Sequence, residues 1–575
     1  MIETDLHADG PNTILVIDVD QTVTRAVLCD VVEGLARLVD VGEAATTAGA
    51  PFFDMSIGLN RAIRRLEDQT GRRIVDGEAV VSPSHPDGDG ADAVFVTGVP
   101  VSPIRTGLLS LGSPELTHVL RSSVRRTVSV LSEAADYFRW AETTISPTAV
   151  ESWLRYSRPT VLVLIAGDSR DEDWRSSLEV IASVGPEFGT TQGIIVGNDE
   201  RQQVAAEVLD ESFDLSGIDP AEYDPNEIAS AVESELRDQY ASSLHREPSL
   251  RMFSSGTFVD RVQSVESVVA FLHRRMGRRL AALLCQNGTL IEVASDTGAL
   301  SVYRGDLDIG GAARSLIQIP SSNIARWVPA QMTDDEVRHW LLNRALRPLA
   351  SLYGPNDMQV AAGAIRETAL LAARHSGIDD HLDVDLVVLG RDVLDNTGDA
   401  APLVALDALR VLPSDGLVML SVDRDNIVAS LGALSAGQPD YAREVIENDF
   451  LSPLASCIVL NGDGHGQAGN QIAEVEIAFD GGERQQLTLQ FGDVTRVPLA
   501  EGQTAEVTVR PIAEFSVGLH AAGEPVTYSD ERVVHGGELG ILFDCRGRPV
   551  ALPEEREARH STLQRWSAAL DVGKG

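Results

Sequence analysis

Ile14-Leu15-Val16-Ile17-Asp18-Val19-Asp20-Gln21-Thr22-Val23-Thr24-Arg25-Ala26-Val27-Leu28-Cys29 runs from an apolar stretch through a short polar turn and back to an apolar stretch. The pattern reads as a β-hairpin whose turn carries acid and hydroxyl groups, the place where a phosphate-binding hairpin presents its chemistry. A third apolar run, Leu35 to Val41, follows the turn at Asp30 to Gly34, so the chain is expected to open as a three-stranded meander. Asp18 and Asp20 have two readings, as ligands of a metal or nucleotide or as turn formers that hydrogen-bond their own backbone.

Outward from the hairpin, an amphipathic helix is expected at Asp54 to Gln69, with Met55, Leu59, Ile63 and Leu66 on one face. The stretch Ser82 to Asp92, rich in Pro, Gly and Asp, reads as a surface loop. Buried strands at Ala93 to Thr97, Thr160 to Ile165 and Gly193 to Val196 alternate with helical stretches such as Glu115 to Tyr137, as a helix-flanked, partly parallel sheet requires. The polar segment Asp210 to Asn226 leads to helices near Asn226 to Ser243 and Val259 to Met276. Strands then restart at Arg279 in a second meander ending at Tyr303, and the capping box Thr333-Asp334-Asp335-Glu336 launches a helix. Another helix is expected at Asn356 to His375, with strands at Asp385 to Leu389 and Leu417 to Ser421. Past Tyr441, short alternating strands such as Ala473 to Ile477, Gln486 to Leu489 and Thr504 to Val509 read as an antiparallel sandwich or barrel, and Pro553 to Leu570 as a terminal helix.

These stretches, in this order, resemble the glutamate mutase L family of the actin-like ATPase and sugar-kinase superfamily. The resemblance is carried by the opening hairpin, Gly42-Glu43-Ala44-Ala45-Thr46-Thr47, Asp54-Met55-Ser56-Ile57-Gly58, Pro159 to Gly167, Arg326-Trp327-Val328-Pro329 and Leu342-Asn343-Arg344-Ala345-Leu346-Arg347-Pro348. It continues through Asp385 to Gly390, Gly540-Ile541-Leu542-Phe543-Asp544 and Arg546-Gly547-Arg548-Pro549. The fold it implies is α/β, with two pseudo-duplicated RNase H-like lobes followed by a C-terminal antiparallel β domain and a terminal helix. The corresponding division is a disordered lead at 1–13, lobes at 14–255 and 256–440, the β domain at 441–552, and the terminal helix and tail at 553–575.

In that family the first hairpin reads Asp-x-Gly-x-x-x-Thr-Lys, the glycine letting backbone approach a phosphate. Here Asp20 takes the glycine's place and Arg25 the lysine's, and an aspartate there adds like charge and fills space. In the second hairpin, Leu283-Leu284-Cys285-Gln286-Asn287-Gly288-Thr289-Leu290, Leu284 stands where the family has the aspartate that places metal and water. In Leu389-Gly390-Arg391-Asp392, Arg391 replaces the second glycine of the nucleoside-binding turn. By resemblance, Asp18, Thr22, Thr24, Arg25, Gly288, Thr289, Gly310, Gly311 and Gly390 are the candidate residues for ATP and Mg, with Asp18 and Asp20 the candidate catalytic carboxylates. Local readings stand beside these: Asn287-Gly288 is a two-residue hairpin signal, and Gly310-Gly311 is either a plain turn or a pair of anion-binding amides.

The 575 residues carry 86 acidic against 47 basic side chains, a formal charge of -39, which repels nucleic acid and anionic membranes. Lys574 stands alone among lysines, so Schiff-base and phosphate-loop lysine chemistry are excluded. Cys29, Cys285, Cys457 and Cys545 lie far apart without C-x-x-C spacing and read as buried small hydrophobes of a reducing, cytoplasmic compartment. The longest apolar run, Thr160 to Gly167, is too short to span a bilayer. Asn461-Gly462-Asp463-Gly464-His465-Gly466 imitates a calcium loop, but His465 and Ile472 fall where oxygen ligands are required. No histidine pair has zinc spacing, and Arg121, Arg125 and Arg126 read as an anion-facing row or a solvated helix face.

The resemblance implies an accessory, chaperone-like protein for a cobalamin-dependent mutase subunit, with lobe closure driven by nucleotide in an intact member. The altered loops favour a scaffold that works without hydrolysis. An ATPase or small-molecule kinase, and a structural assembly protein, are the alternatives.

Overall fold

A computed structural model describes residues 11–571 except 21, 49–51, 53, 78, 99–103, 112–113, 125–128, 131–137, 140–146, 168, 210–211, 221–223, 246, 254–255, 286–287, 297, 306, 311–312, 314–315, 318, 330–331, 349, 351, 353, 375–380 and 463–467. The opening meander forms as expected from the alternation of apolar runs and turns. Ile14–Val19 pairs antiparallel with Val23–Val32, which pairs antiparallel with Leu35–Ala45. The third strand is longer than its apolar run, because Gly42 to Ala45 continues the ladder opposite Val23 to Ala26.

The helix Met55–Thr70 covers this meander. Asp54 caps its start by accepting from the Ser56 amide, Gly71 ends it in the left-handed region at φ 70°, and Met55, Leu59, Ala62, Ile63 and Leu66 form its buried face. Its close seating depends on Gly42, where a Cβ would overlap the carbonyl of Ala62.

Two sheets have the same plan. In the first, the order is Thr257–Asp260, Ala93–Gly98, Ile14–Val19, Val23–Val32, Leu35–Ala45, with the first three strands parallel. In the second, Leu417–Asp423, Leu386–Gly390 and Leu280–Leu284 are parallel, and Leu280–Leu284 opens a meander through Thr289–Ser295 to Gly298–Arg304. The second sheet continues past this plan through Ser452–Gly462, Gly540–Asp544 and Val494–Val497. An antiparallel sheet of Arg484–Gln490, Gln471–Phe479, Thr504–Pro511 and Val526–Tyr528 lies beyond, and Arg556–Leu570 is the terminal helix.

Four expectations are corrected. The strands Val161–Ile165 and Gln192–Val196 do not share a sheet with Ala93–Gly98; they join Ile104–Ser110 and Asp214–Ile218 in a separate parallel sheet inserted between Ala93–Gly98 and Thr257–Asp260. Asp214–Ile218 lies within the segment read as a polar lead, its half-buried pattern too weak to show against the surrounding acids. The helix expected from Glu115 to Tyr137 ends at Val124, with a short strand at Ser129–Val130, and the helix expected from Val259 starts at Arg261 after the strand Thr257–Asp260. Residues 1–10 of the expected lead, Arg125, Arg126 and 463–467 lie outside the described residues.

The two sheets' elements are packed into one body. The helix Val428–Gly437, which follows Leu417–Asp423, lies on the helix Arg261–Met276, which follows the edge strand Thr257–Asp260 of the first sheet. A Cβ on Gly432 would overlap the backbone of Ser264, so the helices touch backbone to backbone. Arg37 makes a two-pronged pair with Asp449, the Ala36 amide donates to Glu444 at 2.7 Å, and Arg275 meets Glu447. Among the described residues, no helix is long and apolar enough to cross a membrane.

Candidate functional site

Asp18 is fully buried near the end of the opening strand, directly across the ladder from Arg25. Arg25 Nη1 donates to Asp18 Oδ2 at 3.3 Å, and Arg261 Nη1 lies 3.0 Å from both oxygens of the same carboxylate. Arg261 reaches this point because Asp260 caps the helix Arg261–Met276 at the end of a strand parallel to Ala93–Gly98. Asp20, also fully buried, sits 3.9 Å from Arg25 and 3.7 Å from Arg261. Burial by itself would lower the pKa of both guanidiniums, but Asp18 and Asp20 outweigh it and raise them, with Glu43 adding to the effect on Arg25.

The charge chain crosses to the second half of the molecule. Arg25 Nε donates to Glu43 Oε1 at 2.9 Å, and Arg391 Nη1 donates to Glu43 Oε2 at 3.3 Å. Arg391, at the start of the helix Arg391–Thr397, thus ties that helix to the strand Leu35–Ala45. The hydroxyls of the first hairpin are also engaged: Thr24 Oγ1 is 2.8 Å from Thr46 Oγ1, which donates to the Asp20 carbonyl at 2.7 Å. Thr22 lines the cavity edge.

The second hairpin is filled in the same manner. The Gly288 amide donates to Asp308 Oδ2 at 3.2 Å and the Gly310 amide to Asp308 Oδ1 at 2.7 Å. An anion does occupy these amides, and it is the protein's own carboxylate. Thr289 Oγ1 donates to the Leu307 carbonyl at 2.7 Å. Gly311, Gln286 and Asn287 lie outside the described residues. Leu284 is buried against Gly390, whose missing Cβ leaves room for the Leu284 and Asp392 side chains. Asp392 accepts from the Cys285 amide at 2.6 Å; burial pushes its carboxyl up to about 6, with that hydrogen bond, Arg261 and Arg25 opposing.

Between these groups is a cavity of about 470 Å³ bordered by Thr22, Arg25, Glu43, Gly310, Arg344 and Asp392, among others. Of the candidate residues, Thr22, Arg25 and Gly310 line it, while Asp18 and Asp20 are buried behind Arg25 and Gly288 shares the Asp308 carboxylate with Gly310. The sequence reading missed Glu43, Arg261 and Asp308 as partners of the site. Neither the cap position of Arg261 nor the turn position of Asp308 announces a role, because each acts on a residue remote in sequence.

Magnesium–triphosphate does not fit this donor set. Both oxygens of Asp18 are committed to Arg261, Asp20 faces two guanidiniums, and the loop amides of Gly288 and Gly310 are taken by Asp308. A phosphate would have to displace buried carboxylates from their partners, at several kcal/mol on the scale of about 3–5 for breaking a buried pair. The four thiols are buried, which pushes Cys29 up to about 12 and leaves it protonated.

No family model matches the chain, and no curated protein matches it in sequence. Among solved structures, the gluconate kinase of Lactobacillus acidophilus aligns with 78% of this chain and 93% of its own at 12% identity, TM-score 0.31. The xylulose kinase of Bifidobacterium adolescentis aligns with 78% of this chain and 96% of its own at 12% identity, TM-score 0.27. A glycerol dehydratase reactivase aligns with 74% of this chain and 100% of its own at 10% identity, TM-score 0.29. Superposition at this level says nothing about activity.

Proposed function

We propose that this chain is a nucleotide-independent accessory protein of the glutamate mutase L type, a fixed two-lobed scaffold that assists a cobalamin-dependent mutase subunit in the cytoplasm. On this reading 14–255 and 256–440 are duplicated lobes of the actin-like superfamily, and the strands of 441–552 are a docking module. The sequence resemblance supplies the partner class. The observation that carries the non-catalytic part is the internal filling of all three loops: Arg261 and Arg25 on Asp18, Asp308 on Gly288 and Gly310, and Arg391 on Glu43.

A nucleotide motor needs lobes that part and close as phosphates come and go. Here the lobes are joined by Arg261–Asp18, by Arg391–Glu43 and by the close approach of Phe95 to Gly437, none of which involves a ligand. The test uses the purified full chain. Calorimetry with Mg-ATP is expected to give no heat of binding at the cleft and no released phosphate, while a mutase subunit is captured equally with and without ATP. Turnover that disappears in Asp18→Ala overturns the non-catalytic reading, and failure to capture any cobalamin-dependent subunit overturns the partner.

A further inference from the structure

Away from the cleft, the terminal helix Arg556–Leu570 lies beside the helix Ser321–Ala325 and the start of the helix Asp334–Leu346, enclosing a cavity of about 360 Å³. Arg326, Arg556, Arg559 and His560 line it. In a chain of formal charge -39, a cavity walled by three guanidiniums and an imidazole runs against the general balance.

Arg556, Arg559 and His560 stand at i, i+3 and i+4 and so share one helix face. Cations at that spacing disfavour one another unless something neutralises them. Their own contacts do so incompletely. Arg556 Nη2 donates to the Met332 carbonyl at 3.3 Å, and Arg559 Nη1 donates to the carbonyls of Pro553 and Glu554 at 3.3 and 3.2 Å. Among the described residues, neither guanidinium has a carboxylate partner at ion-pair distance. Arg326 shares Glu367 at 2.8 Å, and His560 Nδ1 is shielded from solvent without a hydrogen-bond partner. Acidic groups nearby include Asp334, on the cavity wall, Glu336, which is tied to the amide and hydroxyl of Thr333 and influenced by Arg556, and Glu554, Glu555 and Glu557, which flank Arg556 in the chain.

We propose that this cavity is a binding site for a small phosphomonoester, its phosphate held by Arg556, Arg559 and Arg326 and accepting from His560. Guanidinium forks match phosphate oxygens in pairs, whereas the carbonyls they now touch satisfy only single donors. The volume admits a phosphate with a short organic group and excludes a folded partner's surface. Seated there, the ligand would fix the terminal helix against Arg326-Trp327-Val328, so its occupancy would govern the position of that helix.

The probes are inorganic phosphate and glycerol 3-phosphate, with chloride at matched ionic strength as control. Calorimetry on the full chain is expected to give saturable millimolar or tighter binding, with glycerol 3-phosphate at least as tight as phosphate. The double variant Arg556→Gln/Arg559→Gln, both positions exposed or half-buried on the helix, is expected to keep the melting temperature in chloride and to lose binding at least tenfold. His560→Gln should weaken it less. No saturable binding by the wild-type chain, or binding that the double variant retains, overturns the proposal. These arms do not depend on the cleft, so a failure here leaves the scaffold reading standing and the reverse also holds.

Discussion

Arg261 and Asp18 are separated by 243 positions in sequence, yet one guanidinium nitrogen sits 3.0 Å from both carboxylate oxygens in a fully buried setting. Removing one partner of such a pair leaves the other charge uncompensated. Asp18→Ala is therefore expected to cost about 3–5 kcal/mol, and more than Asp20→Ala, whose distances to the arginines are longer. Urea unfolding checks this. Equal losses for the two variants would show that Asp18 has no special place in the cluster.

Asp308 is the anion that holds the Gly288 and Gly310 amides together. Asp308→Ala should lower stability by about 1–3 kcal/mol, the cost of leaving buried donors unmade. It should also make the variant's melting temperature rise with added sulfate more than the wild type's does. A variant with unchanged salt response would mean that the amides close on something else.

Gly432→Ala is expected to destabilise by about 1–3 kcal/mol or more, because the new methyl overlaps the Ser264 backbone rather than a movable side chain. Gly481→Ala, with open space around its Cβ, serves as the contrast. If both variants melt together, the close helix contact contributes nothing to stability.

Burial pushes Asp392 and Asp423 up to about 6, against the hydrogen bonds each accepts. A carboxyl that holds its proton more tightly when folded contributes stability that is complete below the unfolded value of about 4 and is lost as pH rises through 6. Asp392→Asn, which keeps an acceptor for the Cys285 amide, should flatten the stability curve between about pH 4 and 6 relative to wild type. Parallel curves would contradict this.

Asp544 behaves in the opposite sense. Burial alone would raise it, but Arg546 and Arg548 outweigh that and hold it far below the usual carboxylate range. Its contribution is present above the unfolded value and is lost only as pH falls through strong acid. Asp544→Ala, which leaves both arginines without this carboxylate, should cost about 3–5 kcal/mol at neutral pH by denaturant unfolding. A loss under 1 kcal/mol would show that Asp407 alone suffices for Arg546.

The sequence by itself determined the local elements: the meander from its alternating apolar runs, the helix Met55–Thr70 from the Asp54 cap and its spaced apolar face, and the capping box at Thr333. These are properties of neighbours along the chain. Only tertiary structure decided that Val161–Ile165 leaves the first sheet for an inserted one, since an all-apolar strand records its burial and not its partner. In the same way, Arg261, Glu43 and Asp308 became parts of the site only on folding. Charge complementarity acts through a few ångströms of low-dielectric space, and no spacing in the linear chain encodes which distant carboxylate will fill that space.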